Sequence, residues 1–352
     1  MSPGVCAIIN HNLIKMHIPL KIIGSSKLSG GPWNILKPLE NNKILLLKAN
    51  SVGQYPPSYK YGKFSEVSAI LPDCLFLNLS QNSQLVVGML ESGHIMVWDT
   101  ERRVARLVRG QPEFITEKVF EDNNEDVLNV CEDSMNISVA TRRHLFTWTP
   151  GCNRESIFSA EEKTIPGSWN KSSLPVNYTP IGVHTRYVKR RYAWVTAVLG
   201  RKHGENEDGR RDLEVTIVQH DQAGQPAHKT TQLVVQSSSA TARPICRLDH
   251  EAVLLCVSGG QFTTLVCAET GQIVSSVQTG RDICDITWHL TSSMFFITDC
   301  SGYVSVFSRT MNRFYLTLDN DPTFMEHLNS QLIFNTKNEV RDFETSNILI
   351  FS

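Results

Sequence analysis

The sequence predicts an all-β fold made of repeated four-stranded units, a β-propeller of about seven blades. Three observations carry this prediction. Short apolar runs, often alternating or rich in β-branched residues, are separated by Gly, Asn, Asp or Ser, which is typical of strands and turns. Few windows show a sustained helical period. A unit of about 35 residues that contains four such runs recurs along the chain, as blades do.

The clearest unit spans residues 75–109. Its predicted strands are joined by polar turns, and they are Leu75–Leu79, Leu85–Leu90, His94–Trp98 and Val104–Val108. The pattern is repeated in four further segments, which are 126–158, 180–236, 243–278 and 281–318. The segment 180–236 has longer strands and a charged hairpin loop at Arg201–Arg211, so we expect an enlarged blade there.

This pattern divides the chain into three regions. Residues 1–72 are predicted to be an N-terminal extension with a first blade, and residues 73–320 the main blades. Residues 321–352 are predicted to be a partial last blade or a truncated continuation. The apolar end, Asn347–Ser352, has two explanations: a strand that closes the ring against the N-terminal blade, or the cut end of a longer protein. The second is favoured.

A shared motif marks the third strand of three units. Ser-Gly-His-Ile-Met-Val-Trp-Asp (92–99), Arg-Arg-His-Leu-Phe-Thr-Trp-Thr (142–149) and Ser-Gly-Tyr-Val-Ser-Val-Phe-Ser (301–308) each place an aromatic residue six positions after a turn residue. Because alternate residues of a strand face one side, we expect this aromatic to pack between neighbouring blades. The motif resembles the WD-repeat family. Only Trp98–Asp99 has the literal dipeptide, and the usual Gly-His pair is missing from its expected place, so the resemblance is to a divergent member.

A second resemblance concerns the order of elements. Val87–Trp98 and Asp285–Ile297 are similar to the N-terminal propeller of the ciliogenesis and planar polarity effector proteins, above all of their large subunit. The similarity covers 75–352. It implies a scaffold role in cilium assembly and peripheral association at the ciliary base.

Composition narrows the class of protein. The formal net charge is −1, from 34 basic and 35 acidic residues, whereas a nucleic-acid binder usually has a basic excess. The nine cysteines include no CxxC pair, and most lie in apolar runs, which suits a reducing compartment. No run approaches the length of a membrane span. We therefore expect a cytoplasmic protein that binds no specific nucleic acid and has no transmembrane segment.

Motifs for catalysis, cofactors and metals are not found. There is no Gly-x-Ser-x-Gly elbow, and Asp249-His250-Glu251 is best interpreted as a solvated turn. Cys256 and Cys267 have no histidine nearby and are interpreted as core residues. The pairs Gly30–Gly31 and Gly259–Gly260 lack the features of a phosphate loop, and the second is predicted to be a hairpin turn.

The predicted innermost strands offer no convergent acid–base set either; their candidate positions are Asn78, Asn129, Arg247 and Thr287. We expect no catalytic residue, no metal site and no cofactor, and hence not an enzyme.

Basic turn residues are the candidate docking groups. We predict electrostatic binding of other proteins at a single loop face, the top face of the propeller, through Arg102, Arg103, Arg142, Arg143, Arg186, Lys189, Arg190 and Arg191. With the nearby hairpin, 201–211, the last four suit an acidic protein, a phosphoinositide headgroup or RNA. That hairpin also carries Glu205, Glu207 and Asp208, so a solvated loop is the simpler interpretation. The acidic segment 113–126 is predicted to be a flexible linker between blades.

The sequence thus favours a non-enzymatic interaction scaffold, with a subunit of a ciliary assembly as its most specific form. A propeller subunit of a trafficking or tethering complex is the first alternative, and a propeller enzyme is the second.

Overall fold

The computed structural model describes the chain in segments. These are residues 22–27, 35–38, 44–48, 51–55, 65–67, 74–79, 85–90, 92–99, 102, 104–116, 127–131, 134–159, 163–176, 178–188, 193–203, 211–237, 244–278, 280–288, 294–299, 303–308, 313–317, 324–328, 331–336 and 339–344.

Strands dominate these segments, and they form seven four-stranded sheets. The strands of the first half are β1 Ile22–Lys27, β2 Ile35–Pro38, β3 Ile44–Lys48, β4 Ser51–Tyr55, β5 Ser65–Val67, β6 Cys74–Leu79, β7 Leu85–Leu90, β8 Ile95–Asp99, β9 Val104–Val108, β10 Leu128–Val130, β11 Ile137–Ala140, β12 His144–Pro150, β13 Gly167–Ser173 and β14 Tyr178–Val188.

Fourteen further strands follow. They are β15 Ala193–Lys202, β16 Arg211–His220, β17 Pro226–Ser237, β18 Ile245–Leu248, β19 Leu254–Gly259, β20 Phe262–Cys267, β21 Ile273–Gln278, β22 Ile283–Trp288, β23 Met294–Asp299, β24 Tyr303–Ser308, β25 Arg313–Thr317, β26 Phe324–Leu328, β27 Gln331–Thr336 and β28 Glu339–Glu344. Two short helices lie between strands, α1 Glu113–Thr116 and α2 Arg154–Ser159. Among the described residues, no helix is long and apolar enough to span a membrane.

Each sheet is one blade, and its strands pair antiparallel in chain order. Blades one to six are β2–β5, β6–β9, β10–β13, β14–β17, β18–β21 and β22–β25. Blade seven has the order β1-β28-β27-β26, so three of its strands come from the C-terminal part of the chain and the fourth from the N-terminal part. The end 347–352, for which the sequence left two explanations, lies outside the described residues.

The first strands of neighbouring blades lie side by side, and their contacts form one series through all seven blades. β6 contacts β10, β10 contacts β14, β14 contacts β18, β18 contacts β22, and β22 contacts β26. β26 in turn contacts β2, so blade seven lies next to blade one. Closing the sheets into a ring leaves only short edges on the outside, which is how propellers limit exposed strand edges.

Blade three differs from the predicted strand pattern. Its four strands were expected within residues 126–158, but α2 occupies the end of that range and the fourth strand is β13, Gly167–Ser173. The chain between them passes along the neighbouring blade, where Leu107 of β9 donates to the Lys163 carbonyl and Thr164 forms a parallel bridge. α2 also contacts β9. The outer edge of blade two is therefore covered, which a pattern of apolar runs does not reveal.

The apolar core lies between neighbouring blades. One buried cluster joins blades two and three and includes Val87, Val97 and Trp148, and another joins blades five and six and includes Phe307. The expected aromatic packing between blades is thus confirmed for Trp148 and Phe307, and Trp98 is equally buried. Blade two buries both sides of β7 and β8, and this explains why the two strands are apolar along nearly their whole length.

Candidate functional site

The blades present two loop faces. Because adjacent strands run in opposite directions, the turns between first and second strands and between third and fourth strands lie at one end of every blade, here the rear face. The turns between second and third strands and the connections from one blade to the next lie at the other end, here the front face. The hydrogen bond from Ile283, which follows one connection, to Gly260 in a second–third turn agrees with this division.

The predicted basic docking residues lie on opposite faces. Arg142 and Arg143 form the turn between β11 and β12, on the front face, and both are exposed. Arg102 follows β8 in a third–fourth turn, and Arg186 lies near the rear end of β14. Arg103 and residues 189–191 are outside the described residues. The expectation of one shared loop face is wrong, because successive turns of an antiparallel sheet alternate between its two ends.

Arg102 is an ion-pair partner within the fold. Asp99, whose side chain is fully buried, accepts hydrogen bonds from the Arg102 backbone amide at 2.9 Å and from its guanidinium at 3.2 Å. Arg154 of α2 donates to the same carboxylate at 3.0 Å and 3.3 Å. Asp99 therefore ties blade two to α2 of blade three. Arg154 was missed because nothing in the sequence links positions 99 and 154.

Arg186 is buried, with 7% of its surface exposed, and its guanidinium lies 3.2 Å from Nδ1 of His250. An arginine only donates, so Nδ1 of His250 is the acceptor and carries no proton. Arg186 therefore joins blade four to blade five. It is not a cation of the outer surface, and the reason is that β14 is an innermost strand whose residues pack against the next blade.

The turn Asp249-His250-Glu251 joins β18 to β19, as predicted, but it is not fully solvated. Asp249 is 2% exposed, and its carboxylate accepts hydrogen bonds from the amides of Val253 and Leu254 at 2.7 Å and 3.0 Å. Ala252 in this turn has a φ of +51°, a strained value for a residue with a Cβ. The Asp249 side chain thus holds a tight turn, which is a structural role.

Side chains on the innermost strands tie three successive pairs of blades. Asn129 accepts a hydrogen bond from the Thr185 amide at 3.0 Å, between blades three and four. His184 accepts one from the Leu248 amide at 3.1 Å, between blades four and five. Trp288 donates to the Arg247 carbonyl at 2.9 Å, between blades five and six. These bonds tie neighbouring blades to one another near the axis.

Cys256, Cys267 and Gly260 lie in ordinary structural positions, whereas Gly30 and Gly31 lie outside the described residues. Cys256 is fully buried, and burial raises the pKa of its thiol; Cys267 is half-buried. Gly260, with a φ of +64°, closes the hairpin between β19 and β20, which confirms the predicted turn. Within the described segments, no group of three or more His, Cys, Asp and Glu side chains is placed to hold a metal ion.

The most distinctive exposed surface lies on the front face of blades two and three. The Arg142–Arg143 turn is held by Thr141, whose hydroxyl donates to the His144 carbonyl and accepts from the His144 amide, each at 3.0 Å. The Leu174 amide donates to the Arg143 carbonyl at 2.6 Å. Short hydrogen-bonded turns of this kind have few conformations, so the two arginines project from a fixed base.

Next to this turn lies α1. Its Phe114 is fully buried and contacts the rings of Phe146 and Trp169, with 5.2 Å between centroids in both pairs. The following residue, Ile115, is 56% exposed and contacts the Gly93 turn of blade two. We name the exposed residues of this region the blade two–three surface, and they are Arg109, Pro112, Ile115, Arg142, Arg143 and Lys171.

These features define the class of fold. No protein-family model matches the chain, and no curated protein sequence matches it significantly. Solved structures do: a chain of the mitotic checkpoint complex is similar at a TM-score of 0.59 and 11% identity, over 96% of this chain and 99% of that one.

Two further solved structures are similar. BBS1N, in complex with ARL6DN, has a TM-score of 0.59 and 13% identity over 94% of this chain and 97% of its own. The Cps50 (Swd1) β-propeller domain of Myceliophteria thermophila has a TM-score of 0.56 and 9% identity, over 93% and 99%. The chain has the β-propeller fold of the WD40 type, and the predicted fold class is confirmed.

Proposed function

We propose that this propeller is a non-enzymatic scaffold that binds other proteins through its loop faces. The observation that carries the proposal is the blade two–three surface, where Arg142 and Arg143 project from a hydrogen-bonded turn and Ile115 is exposed on α1 beside them. A rigid base lowers the entropy lost when a partner binds. The fold itself leaves the function open, because propellers serve many roles.

The structural neighbours support this proposal at the level of the fold. BBS1N is in complex with ARL6DN, and another neighbour is part of a mitotic checkpoint complex. Among the described residues near the axis, Asn129, His184 and Trp288 form hydrogen bonds between blades, and this structural use of polar groups is what a scaffold requires.

The experiment is purification of the tagged chain from cells under mild cross-linking, with mass spectrometry of the linked peptides. The control is an unrelated seven-bladed propeller expressed at the same level. We expect partners that are absent from the control, linked through lysines near the loop faces such as Lys171 or Lys163. Recovery of no partner above the control would contradict a scaffold function.

The more specific proposal is that the chain is a subunit of a ciliogenesis and planar polarity assembly, located in the cytoplasm and at the ciliary base. It rests on the resemblance of Val87–Trp98 and Asp285–Ile297 to that family. The test is imaging of the tagged chain in ciliated cells with a basal-body marker, followed by its depletion. Enrichment at the base and loss of cilia are expected, and a diffuse signal with normal cilia would contradict the proposal.

A further inference from the structure

The charges of the blade two–three surface indicate the kind of partner that it binds. Four basic side chains, those of Arg109, Arg142, Arg143 and Lys171, belong to it, and among the described residues the acid beside them is Glu113. A hydrogen bond from its own backbone amide, together with Lys171, lowers the pKa of Glu113, so this carboxylate is ionised at neutral pH. These five described side chains together carry a net charge of about +3, which attracts an anionic partner.

Its geometry is built by contacts between the two blades. Trp169 donates to the Arg109 carbonyl at 2.8 Å, and Lys171 lies 3.4 Å from Glu113 and 5.4 Å above the centre of the Phe146 ring. The aromatic side chains below α1 thus hold the helix, the Arg109 backbone and the Lys171 side chain in place. Such a preformed surface needs little rearrangement when a partner binds.

An apolar residue lies among these cations. Ile115 is 56% exposed, although Phe114 next to it is completely buried, and Pro112 beside α1 is also exposed. Exposure of a branched apolar side chain to water is unfavourable. Contact with an apolar residue of a partner removes this surface from water and therefore favours binding. An exposed apolar side chain adds nothing to the binding of a phosphate group.

We propose that the blade two–three surface binds an acidic peptide segment of a partner protein that carries an apolar side chain among its carboxylates. The carboxylates pair with Arg143, Arg142 and Arg109, and the apolar side chain covers Ile115. This inference rests on the proposed scaffold function and adds to it the chemistry of the partner and the place where it binds.

The test is fluorescence polarisation with the purified chain and two labelled peptides. One probe is a peptide of alternating Asp and Glu with a central Leu-Phe pair, and the second replaces every Asp and Glu by Asn and Gln. We expect saturable binding of the acidic probe that weakens about tenfold when the salt concentration rises from 50 to 200 mM, and no binding of the neutral probe.

Single substitutions locate the site. R143E is expected to weaken binding at least about tenfold, and I115S about fivefold. The matched control is K163E, which makes the same charge change at an exposed residue between α2 and β13, outside this surface, and is expected to change binding less than about twofold. Equal thermal unfolding temperatures of the variants and the parent chain show that the fold is kept.

Four results would overturn the inference. These are equal binding of the two probes, equal effects of R143E and K163E, and binding of poly-U RNA or phosphatidylserine vesicles but not of the peptides. The fourth is binding of the acidic probe that appears only when the chain's own Glu121 and Asp122 are neutralised (E121Q, D122N). In that case the surface binds a segment of this chain and not of a partner protein. If cross-linked partners are recovered from cells equally with R143E, the scaffold function stands and this inference falls; if no partner is recovered at all, the scaffold function itself falls.

Discussion

At the scale of single residues, Asp99 shows how a motif residue is used in this chain. Its buried carboxylate accepts from both Arg102 and Arg154, whose side chains are 42% and 24% exposed. Removing one partner of a buried ion pair leaves the other charge without compensation, which is far more costly than losing a surface pair. R102A leaves the Asp99 carboxylate paired with Arg154, whereas D99A removes the partner of both arginines and every hydrogen bond that they make to it.

We therefore predict that D99A lowers the free energy of unfolding by about 3 kcal/mol, whereas R102A lowers it by about 1 kcal/mol or less. Urea denaturation followed by tryptophan fluorescence measures both values. Equal losses for the two variants would show that Asp99 does not depend on Arg154.

His220 is the residue with the clearest pH dependence. Its ring is 2% exposed, stacks on Trp194 with 5.7 Å between centroids, and lies against the backbone of Gly224. Burial lowers the pKa of His220 from 6.5 to about 4. The folded chain therefore holds this ring neutral at pH values where the unfolded chain would protonate it.

The sign of the effect follows from this depressed pKa. Between pH 6.5 and pH 4 the unfolded chain binds more protons, so the free energy of unfolding falls as the pH falls, by up to about 3 kcal/mol from this residue. In H220F, which keeps an aromatic ring on Trp194, we expect this part of the pH dependence to disappear. The measurement is urea denaturation at pH 7, 6, 5 and 4, and parallel curves for the two chains would contradict the prediction.

At the scale of elements, aromatic residues pack over glycines of the adjacent strand. The ring of Tyr178 on β14 lies where a Cβ of Gly200 on β15 would be, and its hydroxyl donates to the Val198 carbonyl at 3.0 Å. Trp148 on β12 packs over Gly167 on β13 in the same way. These glycines are required by the close approach of a ring.

G200A should therefore destabilise the chain by about 1–3 kcal/mol, because the added methyl group displaces a buried ring. The matched control is G151A, where the nearest atom to a Cβ is the Pro166 carbonyl oxygen at 3.4 Å and little change is expected. Differential scanning calorimetry of the three chains checks this, and an unchanged G200A would mean that Tyr178 has room to move.

At the scale of the whole molecule, the N-terminal strand completes the last blade. β1 pairs with β28 along Ile22–Lys27, so the fourth strand of blade seven comes from the opposite end of the chain. Without it, the outer edge of β28 would be unpaired, and unpaired edges promote association.

Deletion of residues 1–30 is expected to lower the thermal unfolding temperature by at least about 5 °C and to increase association, whereas deletion of residues 1–18 should do neither. Thermal unfolding and light scattering after size exclusion give the two readouts. Identical behaviour of both deletions would show that β1 adds nothing to the ring.

The fold could be predicted well from the sequence because strands are recognised from local patterns of apolar and turn residues. The quartet ending at Val108, the enlarged blade from Tyr178 to Ser237 and the hairpin at Gly260 were all visible as apolar runs and turn residues. The third-strand aromatic at Trp148 was predicted to pack between blades and does so. In each case the signal lies within a few residues of the feature that it predicts.

The candidate site was predicted only in part. The Arg142–Arg143 turn was predicted correctly because it lies in a hairpin between two clearly apolar strands. The segment that contains α1 and Ile115 was predicted to be a linker. Arg102 and Arg186 were expected to be docking cations, but Arg102 pairs with the buried Asp99 while its own side chain stays 42% exposed, and Arg186 is buried against His250. Asp99 lies 3 positions from Arg102, and His250 lies 64 positions from Arg186. Only the first contact falls within the range of a local sequence pattern.

The sequence by itself determined the number and order of strands in most blades, since side-chain alternation and turn chemistry act over a few neighbouring residues. The tertiary structure alone decided which turns share a face, which charges are buried and how the two ends of the chain share blade seven. These depend on contacts between residues far apart in the chain. A local sequence pattern does not predict such contacts, because they form only when the blades have assembled.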